Sequence, residues 1–461
     1  MQALTKKYGL FTAIAMVVGI VIGSGVFFKA QDILEKTEGD LTVSILAWIF
    51  GGLIMLFCVL AFSMMATRYE KVSGIVDYAE ATVGKDYGYF VGWFNAAVYL
   101  PSMTGVLAWV SARFTVVFLN SVIEDFAQDP VLGSECMVIT LFYMVGSYAL
   151  NALAPKLAGR FQVTATVIKL IPLVLMGVVG VIVGLGSGML RENFAAVQQV
   201  GGDDRAGHFF AALVSTAFAY EGWIIATGIN AEIKNAKRNL PIALTFGSLT
   251  IIAICVLYNI GIAGSVSIEA LRDSGAALAF THLFGDGFGA ILNLFVVISC
   301  LGTLNGLMLG STRTMYALAV RGQGPRPEVF SRVDETTDMP QSSAISGLLF
   351  SMLWFFYFYA ANLANWCGPY GFDSSELPIV TVYIFYMPMF VQFMRKNKDL
   401  GVVKRFVLPI LAVLGSLFMI VAAVIAHGKG VVYYLIVFAA VMAIGVYIEY
   451  RRRKAYKKSS S

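Results

Sequence analysis

The chain reads as an all-α integral membrane protein with twelve transmembrane helices. Three observations support that class. The chain of 461 residues is 58% hydrophobic and only 13% charged, whereas a soluble domain carries roughly 25% charged residues. Its apolar residues fall into long uninterrupted runs. Its lysines and arginines gather on alternate loops. A soluble surface needs far more charge than this, so much of the surface must be solvated by lipid.

A bilayer core about 30 Å thick requires roughly 20 apolar residues in a helix. Runs of that kind lie near 9–30, 43–66, 87–112, 131–153, 160–186 and 209–231, and then near 242–266, 289–320, 343–361, 375–394, 406–426 and 431–449. The eighth run is longer than the membrane requires, and the ninth is interrupted near Asn362. Of the 33 lysines and arginines, 24 fall on one set of alternate loops and tails. The other set holds Lys29, Lys36, Arg191, Arg205, Arg272 and Lys429, and Arg113, Lys169 and Arg313 lie within runs. The positive-inside rule then places both termini in the cytoplasm of a multi-pass protein of the cell membrane. Basic residues spread along one membrane face do not form a nucleic-acid module. The first run is long and ends in Gly-Ser-Gly without an Ala-x-Ala-like cleavage site, so it is expected to be a mature segment.

Five cysteines (Cys58, Cys136, Cys255, Cys300 and Cys367) are scattered without a CxxC pair, as suits small buried hydrophobes. His208, His282 and His427 fall near outer loops at no metal-ligand spacing. No metal site or cofactor is expected.

Residues 1–394 are expected to form one transport core. Runs one to five cover 9–186 and runs six to ten cover 209–394. Five is odd, so the second set enters the membrane upside down relative to the first. Residues 406–449 add two helices, and 450–461 form a basic cytoplasmic tail. Each half opens with an interrupted run, the first at Gly23-Ser24-Gly25 and the sixth at Ala219-Tyr220-Glu221-Gly222-Trp223. Matched interruptions in two inverted halves mark the binding site of a secondary transporter. Glycine permits non-helical backbone, and the freed N–H and C=O groups are tolerable at membrane depth only where a cavity or ligand satisfies them. A helix N-terminus favours an anion, and free carbonyls accept from an ammonium group. Together they suit the zwitterion of an amino acid. A close helix–helix contact is the plainer reading of one Gly-x-Gly; the second interruption favours the site.

These residues resemble the amino acid–polyamine–organocation superfamily, and within it the bacterial L-type amino-acid transporters. The likeness rests on Gly23-Ser24-Gly25-Val26-Phe27, Pro101-Ser102, Lys169, Phe218-Ala219-Tyr220-Glu221-Gly222-Trp223, Glu232 with Arg238-Asn239-Leu240-Pro241, and Ser299-Cys300-Leu301-Gly302-Thr303-Leu304-Asn305-Gly306 with Ser311-Thr312-Arg313. It implies the LeuT-like five-plus-five inverted repeat, with broken helices 1 and 6, and alternating access. It implies that an L-amino acid carboxylate meets amides at Ser24, Gly25 and Val26, that the amine meets carbonyls near Ile20, Val21, Phe218, Ala219 and Glu221, and that Gly23 belongs to the same binding site. Phe218 takes the place of an aromatic gate. Lys169 stands where sodium-coupled relatives hold an ion between helices 1 and 8, which implies sodium independence, with its ammonium group tethering helix 1 and lying near Ser299. If Lys169 releases a proton the cycle is proton-coupled; if it stays charged, exchange is the natural mode.

Intramembrane charges are functional candidates. Glu221 departs from the family pattern: it receives a cationic side chain, carries a proton, or bonds within the bundle. Arg313 is either an interfacial arginine or an inner-gate partner of Glu232, and Arg113 is an outer anchor. Ile224 and Ile225 favour small or apolar substrate side chains. Eukaryotic relatives are joined to a heavy subunit through a cysteine between helices 3 and 4, and residues 113–133 contain none, so no disulfide-linked partner is expected. The leading expectation is a sodium-independent exchanger of small neutral L-amino acids. A proton-coupled or cationic amino-acid permease is the alternative. An ion channel lacks a filter-like repeat, and a membrane enzyme lacks a nucleophile–base set or metal cluster.

Overall fold

In a computed structural model the described residues are 9–69, 74–124, 126–196, 205–226 and 233–459. They form helices and no extended sheet. In chain order these are α1 (Leu10–Val21), α2 (Ser24–Lys36), α3 (Leu41–Arg68), α4 (Ile75–Thr82), α5 (Lys85–Phe94), α6 (Leu100–Val122), α7 (Ser134–Leu153), α8 (Pro155–Ser187), α9 (Met189–Ala195) and α10 (Arg205–Ala219). They continue with α11 (Trp223–Ala226), α12 (Ala236–Ser265), α13 (Ile268–Phe284), α14 (Asp286–Ala319), α15 (Pro327–Phe330), α16 (Gln341–Phe358), α17 (Leu377–Lys396), α18 (Leu408–His427) and α19 (Lys429–Ser459).

Ten of these elements, counting α5 and α6 as one, are long and apolar enough to cross a membrane. The exceptions among the apolar runs are the first and the sixth. Helices α1 and α2 have 12 and 13 residues, and at 1.5 Å per residue each rises about 20 Å, short of the roughly 30 Å core. The eighth run becomes the 34-residue α14. The interruption of the ninth run is a π-helical turn over Tyr359–Leu363. A second such turn, Asn95–Tyr99, joins α5 to α6. The short helices α4 and α13 between spans were not foreseen.

The packing places the interrupted runs at the centre. Helix α1 lies among α8, α11, α12 and α14, and α2 lies against α10 and α13. The α5–α6 segment is the innermost span, with 72% of its apolar window buried, and α19 the outermost, with 17%. Helices α8 and α12 meet along small residues. A Cβ at Gly180 would lie 2.1 Å from the Gly261 carbonyl oxygen, and one at Gly264 would lie 2.3 Å from that of Gly180. Neither backbone can yield without parting the helices, the situation that selects small residues in membrane helix packing. Replacing Gly261 by valine therefore costs about 1–3 kcal/mol of overpacking. The thermal unfolding transition of Gly261→Val in detergent falls below the parent's, whereas Gly186→Ala, which meets nothing within 4 Å, leaves it in place.

Candidate functional site

The first interruption is a helix end facing a helix start. The last α-type bond of α1 runs from the Ile22 N–H to the Val18 carbonyl at 2.8 Å. Ile22 then turns extended (φ −67°, ψ 108°) and Gly23 adopts φ −148°, ψ −144°. The carbonyls of Gly19, Ile20 and Val21 thereby lose the amides that a continuing helix would supply. From Ser24 the chain is helical again, so the first amides of α2, at Ser24, Gly25 and Val26, have no partner in their own helix. Three glycines admit three neighbours to this point. A Cβ at Gly19 would meet Thr166 Oγ1 of α8 at 2.3 Å, one at Gly23 would meet Thr303 Oγ1 of α14 at 2.0 Å, and one at Gly25 would meet Ala219 Cα of α10 at 2.7 Å.

The second interruption lies at that last contact. Helix α10 ends at Ala219, and the Glu221 N–H reaches the Phe218 carbonyl at 3.4 Å in a turn. Gly222 has φ +104°, a region that side chains disfavour, and α11 begins at Trp223. The α2 start thus rests on the α10 end, and backbone donors and acceptors converge. A narrow cavity opens here. Val21, Gly25, Phe218, Glu221 and Gly222 line it from the two interruptions; Met103 and Leu107 of α6, Gln162 of α8, and Thr303, Gly306 and Leu307 of α14 complete it. Ile20 and Ser24 stand at the same break through their backbone.

Phe218 is buried and meets Phe28 edge-on, with ring centroids 5.8 Å apart. Glu221 is buried, lines the cavity and accepts a hydrogen bond from the Tyr99 hydroxyl at the α5–α6 π turn. It therefore both faces the site and bonds within the bundle. Lys169 of α8 is fully buried and donates to the Gly19 carbonyl. Among the described residues no carboxylate forms an ion pair with it. Its amine goes to one of the carbonyls that the end of α1 releases. Ser299 is fully buried on α14, its hydroxyl without a hydrogen-bond partner among the described residues; the hydrogen bond of Lys169 goes to Gly19.

Above the aromatic ring lies a cluster that the sequence did not disclose. Lys29 and Lys36 are helical residues of α2, not loop residues, and Lys29 is only 3% exposed. Lys29 Nζ lies 2.6 Å from Glu376 Oε1 and 3.1 Å from Asp32 Oδ2. It also sits over the Phe218 ring, 5.5 Å from the centroid. Lys36 Nζ reaches the same Glu376 oxygen at 3.0 Å and Asp32 at 3.4 Å. The Ser215 hydroxyl of α10 lies 2.8 Å from both Asp32 and Glu376. His427, closing α18, places Nε2 3.0 Å from Glu376 Oε2. Glu376, just before α17, is fully buried and joins α2, α10 and α18. The separation of 347 residues between Lys29 and Glu376 hid the pair, and only the depth of Lys29 within an apolar run hinted at it. Asp373, Glu376 and His427 bring ligand-type atoms within 4.8 Å of one another. Two ammonium groups already held by Glu376 repel a metal cation there.

The remaining charges fall outside the cavity. Arg113 lies over Phe28 and Trp109 at 5.9 and 5.8 Å. Arg313 is exposed. Glu232, its expected partner, falls in the stretch 227–232 outside the described residues. Ile224 is buried, and the side chain of Ile225 lies outside the described ones. Cys136 is fully buried at the start of α7 and is a free thiol.

Removing the Lys169 amine while keeping a similar chain length leaves the Gly19 carbonyl buried without a donor, at a cost of about 1–3 kcal/mol. Lys169→Met therefore unfolds at lower temperature than the parent in detergent. An unchanged transition would remove the tether from α1.

The chain is 29% identical over 468 residues to the serine/threonine exchanger SteT of Bacillus subtilis (strain 168), covering 98% of this chain and 99% of that protein. It is 23% identical to the human b(0,+)-type amino acid transporter 1, covering 95% and 86%. It is 24% identical to the human cystine/glutamate transporter, covering 76% and 68%. The family expected from the motifs is borne out. With residues 8–447 matched to its model, the chain belongs to the amino acid permease family.

Proposed function

We propose that the protein is a sodium-independent exchanger of small neutral L-amino acids working by alternating access. The observation that carries this reading is the meeting of α2's first turn with α10's last turn at Gly25 and Ala219. In this reading the free amides of Ser24, Gly25 and Val26 stand opposite the carbonyls of Ile20, Val21, Phe218 and Ala219. An amino acid satisfies both sets at once, its carboxylate at the positive end of a helix and its ammonium group at the carbonyls. The Lys169 amine occupies the end of α1, a place that suits a cation, and so favours independence from sodium. The small residues at the break and the side chains of Met103, Leu107 and Leu307 leave room for a short substrate side chain. The name of the Bacillus relative agrees with exchange of such amino acids.

In this reading α1 with α2 and α10 with α11 each make one crossing. Together with the ten continuous spans they give twelve, arranged as two inverted sets of five plus two further helices. Both termini are cytoplasmic. Phe218 closes the cavity on the outer side, and the Lys29–Glu376 cluster lies over it and holds α2 and α10 against α17. No heavy subunit is part of the proposal.

A second reading, proton-coupled or cationic amino-acid uptake, draws on Glu221. A buried carboxylate that faces the cavity, with the Tyr99 hydroxyl as its donor, is suited to a proton or to a cationic side chain.

Reconstituted in liposomes, the protein takes up labelled serine or alanine only when the vesicles contain an unlabelled amino acid, and equally well when sodium is replaced by potassium. Uptake into vesicles without internal amino acid, driven by an inward proton gradient, would replace exchange by the second reading. The outer cluster has its own test. In a chain with Cys367→Ser and a cysteine at the cavity position Leu307, Glu376→Gln speeds labelling by an impermeant thiol reagent added outside. An unchanged labelling rate in the folded variant would deny the cluster its closing role.

A further inference from the structure

The proposed site has one wall group that backbone chemistry does not use. Gln162 of α8 lines the cavity beside Gly306. Its amide is held at one end only. Asn305 Nδ2 donates to Gln162 Oε1 at 3.1 Å, while Gln162 Nε2 is buried without a hydrogen-bond partner among the described residues.

The assignment of oxygen and nitrogen in an amide follows from its partners, and here three backbone carbonyls determine it. Asn151 of α7 faces the Ser147 carbonyl at 2.9 Å and the Asn305 carbonyl at 3.3 Å. Carbonyls only accept, so the facing atom is Asn151 Nδ2. That atom also lies 2.9 Å from the Asn305 side chain, which must present its oxygen. The other end of Asn305 faces the Ala158 carbonyl at 3.3 Å and is therefore the NH2 group. Gln162 must meet that group with its oxygen. The relay of three amides thus leaves Gln162 an NH2 group at the cavity wall, with donors and no acceptor.

A buried donor without an acceptor is costly and is rare enough to require an explanation. We infer that Gln162 reads the substrate side chain, and that the class it selects is the small hydroxy amino acids. A hydroxyl oxygen accepts from Gln162 Nε2. Its hydrogen has an acceptor in Thr303 Oγ1, which lines the same cavity one turn from Gly306 on α14 and lies against Gly23. An apolar side chain of the same size leaves Gln162 Nε2 unpaired, while Thr303 Oγ1 keeps its bond to the Ser299 carbonyl at 3.3 Å, and a site built to hydrogen-bond a hydroxyl discriminates against such analogues. Asn305 and Asn151 are positioning residues: they hold the Gln162 amide in one orientation and do not line the cavity. This inference rests on the proposed amino-acid exchange at the same site.

The test compares serine with alanine as external substrate in proteoliposomes loaded with alanine. The parent is expected to favour serine by about tenfold or more in transport efficiency, the worth of one hydrogen bond to a buried group. In Gln162→Leu the ratio of serine to alanine exchange falls to near unity. Gln162→Met, which keeps the length without the donor, serves if the leucine variant does not fold and is expected to behave alike. A simple structural role for Gln162 would lower serine and alanine exchange together and leave their ratio in place, and that result would overturn the inference. A parent that exchanges both substrates equally well would also overturn it, with the exchange reading intact. A parent that exchanges neither would remove the exchange reading and this inference with it.

Discussion

The structure depends on one constraint: backbone N–H and C=O groups set free inside a membrane must find partners. An unbroken helix meets it automatically. In this chain helical segments end at Val21 and Ala219 and new ones begin at Ser24 and Trp223, and the constraint is met there by other means. The Gly19 carbonyl takes the Lys169 amine. The remaining free groups, at the end of α1 and the start of α2, face a cavity shared with α10. The glycines follow from the same constraint, because the partners reach the break only where Gly19, Gly23 and Gly25 carry no side chain.

Charge is distributed around the break with a clear asymmetry. Lys169 is buried with the Gly19 carbonyl as its partner. The cluster around Glu376 balances two lysines of α2 against Asp32 and Glu376, with Ser215 and His427 at its margins. Buried ion pairs add little net stability, because desolvation offsets their attraction, but removing one partner is severe. Such a cluster is therefore suited to holding helices in one arrangement. Phe218 connects the two regions: its backbone ends α10 at the cavity and its ring lies beneath Lys29.

Much of this was legible in the sequence. Long apolar runs announced the spans, and Gly23-Ser24-Gly25 and Glu221-Gly222 announced the interruptions, since glycine in an apolar helix is a local signal. Lys169 stood out as a charge deep in a run. The cluster around Glu376 was not legible. Lys29 and Lys36 near the end of a run look like loop residues, and their partner Glu376, just before α17, lies more than three hundred residues away. The amide relay was hidden for the same reason: Asn151, Gln162 and Asn305 are ordinary polar residues until three helices bring them together. Local backbone chemistry can be read from sequence, but side-chain networks between distant helices require the fold.

The central claim is that the two helix ends hold a zwitterion, and competition binding tests it most directly. Labelled serine bound to the purified protein is displaced with unlabelled serine, with its methyl ester, which lacks the carboxylate, and with 3-hydroxypropionate, which lacks the ammonium group. Each missing charge removes hydrogen bonds to a charged group worth about 1.5–3 kcal/mol, so each analogue should compete about tenfold to a hundredfold more weakly than serine. An ester or a desamino analogue that competes as well as serine would contradict the account.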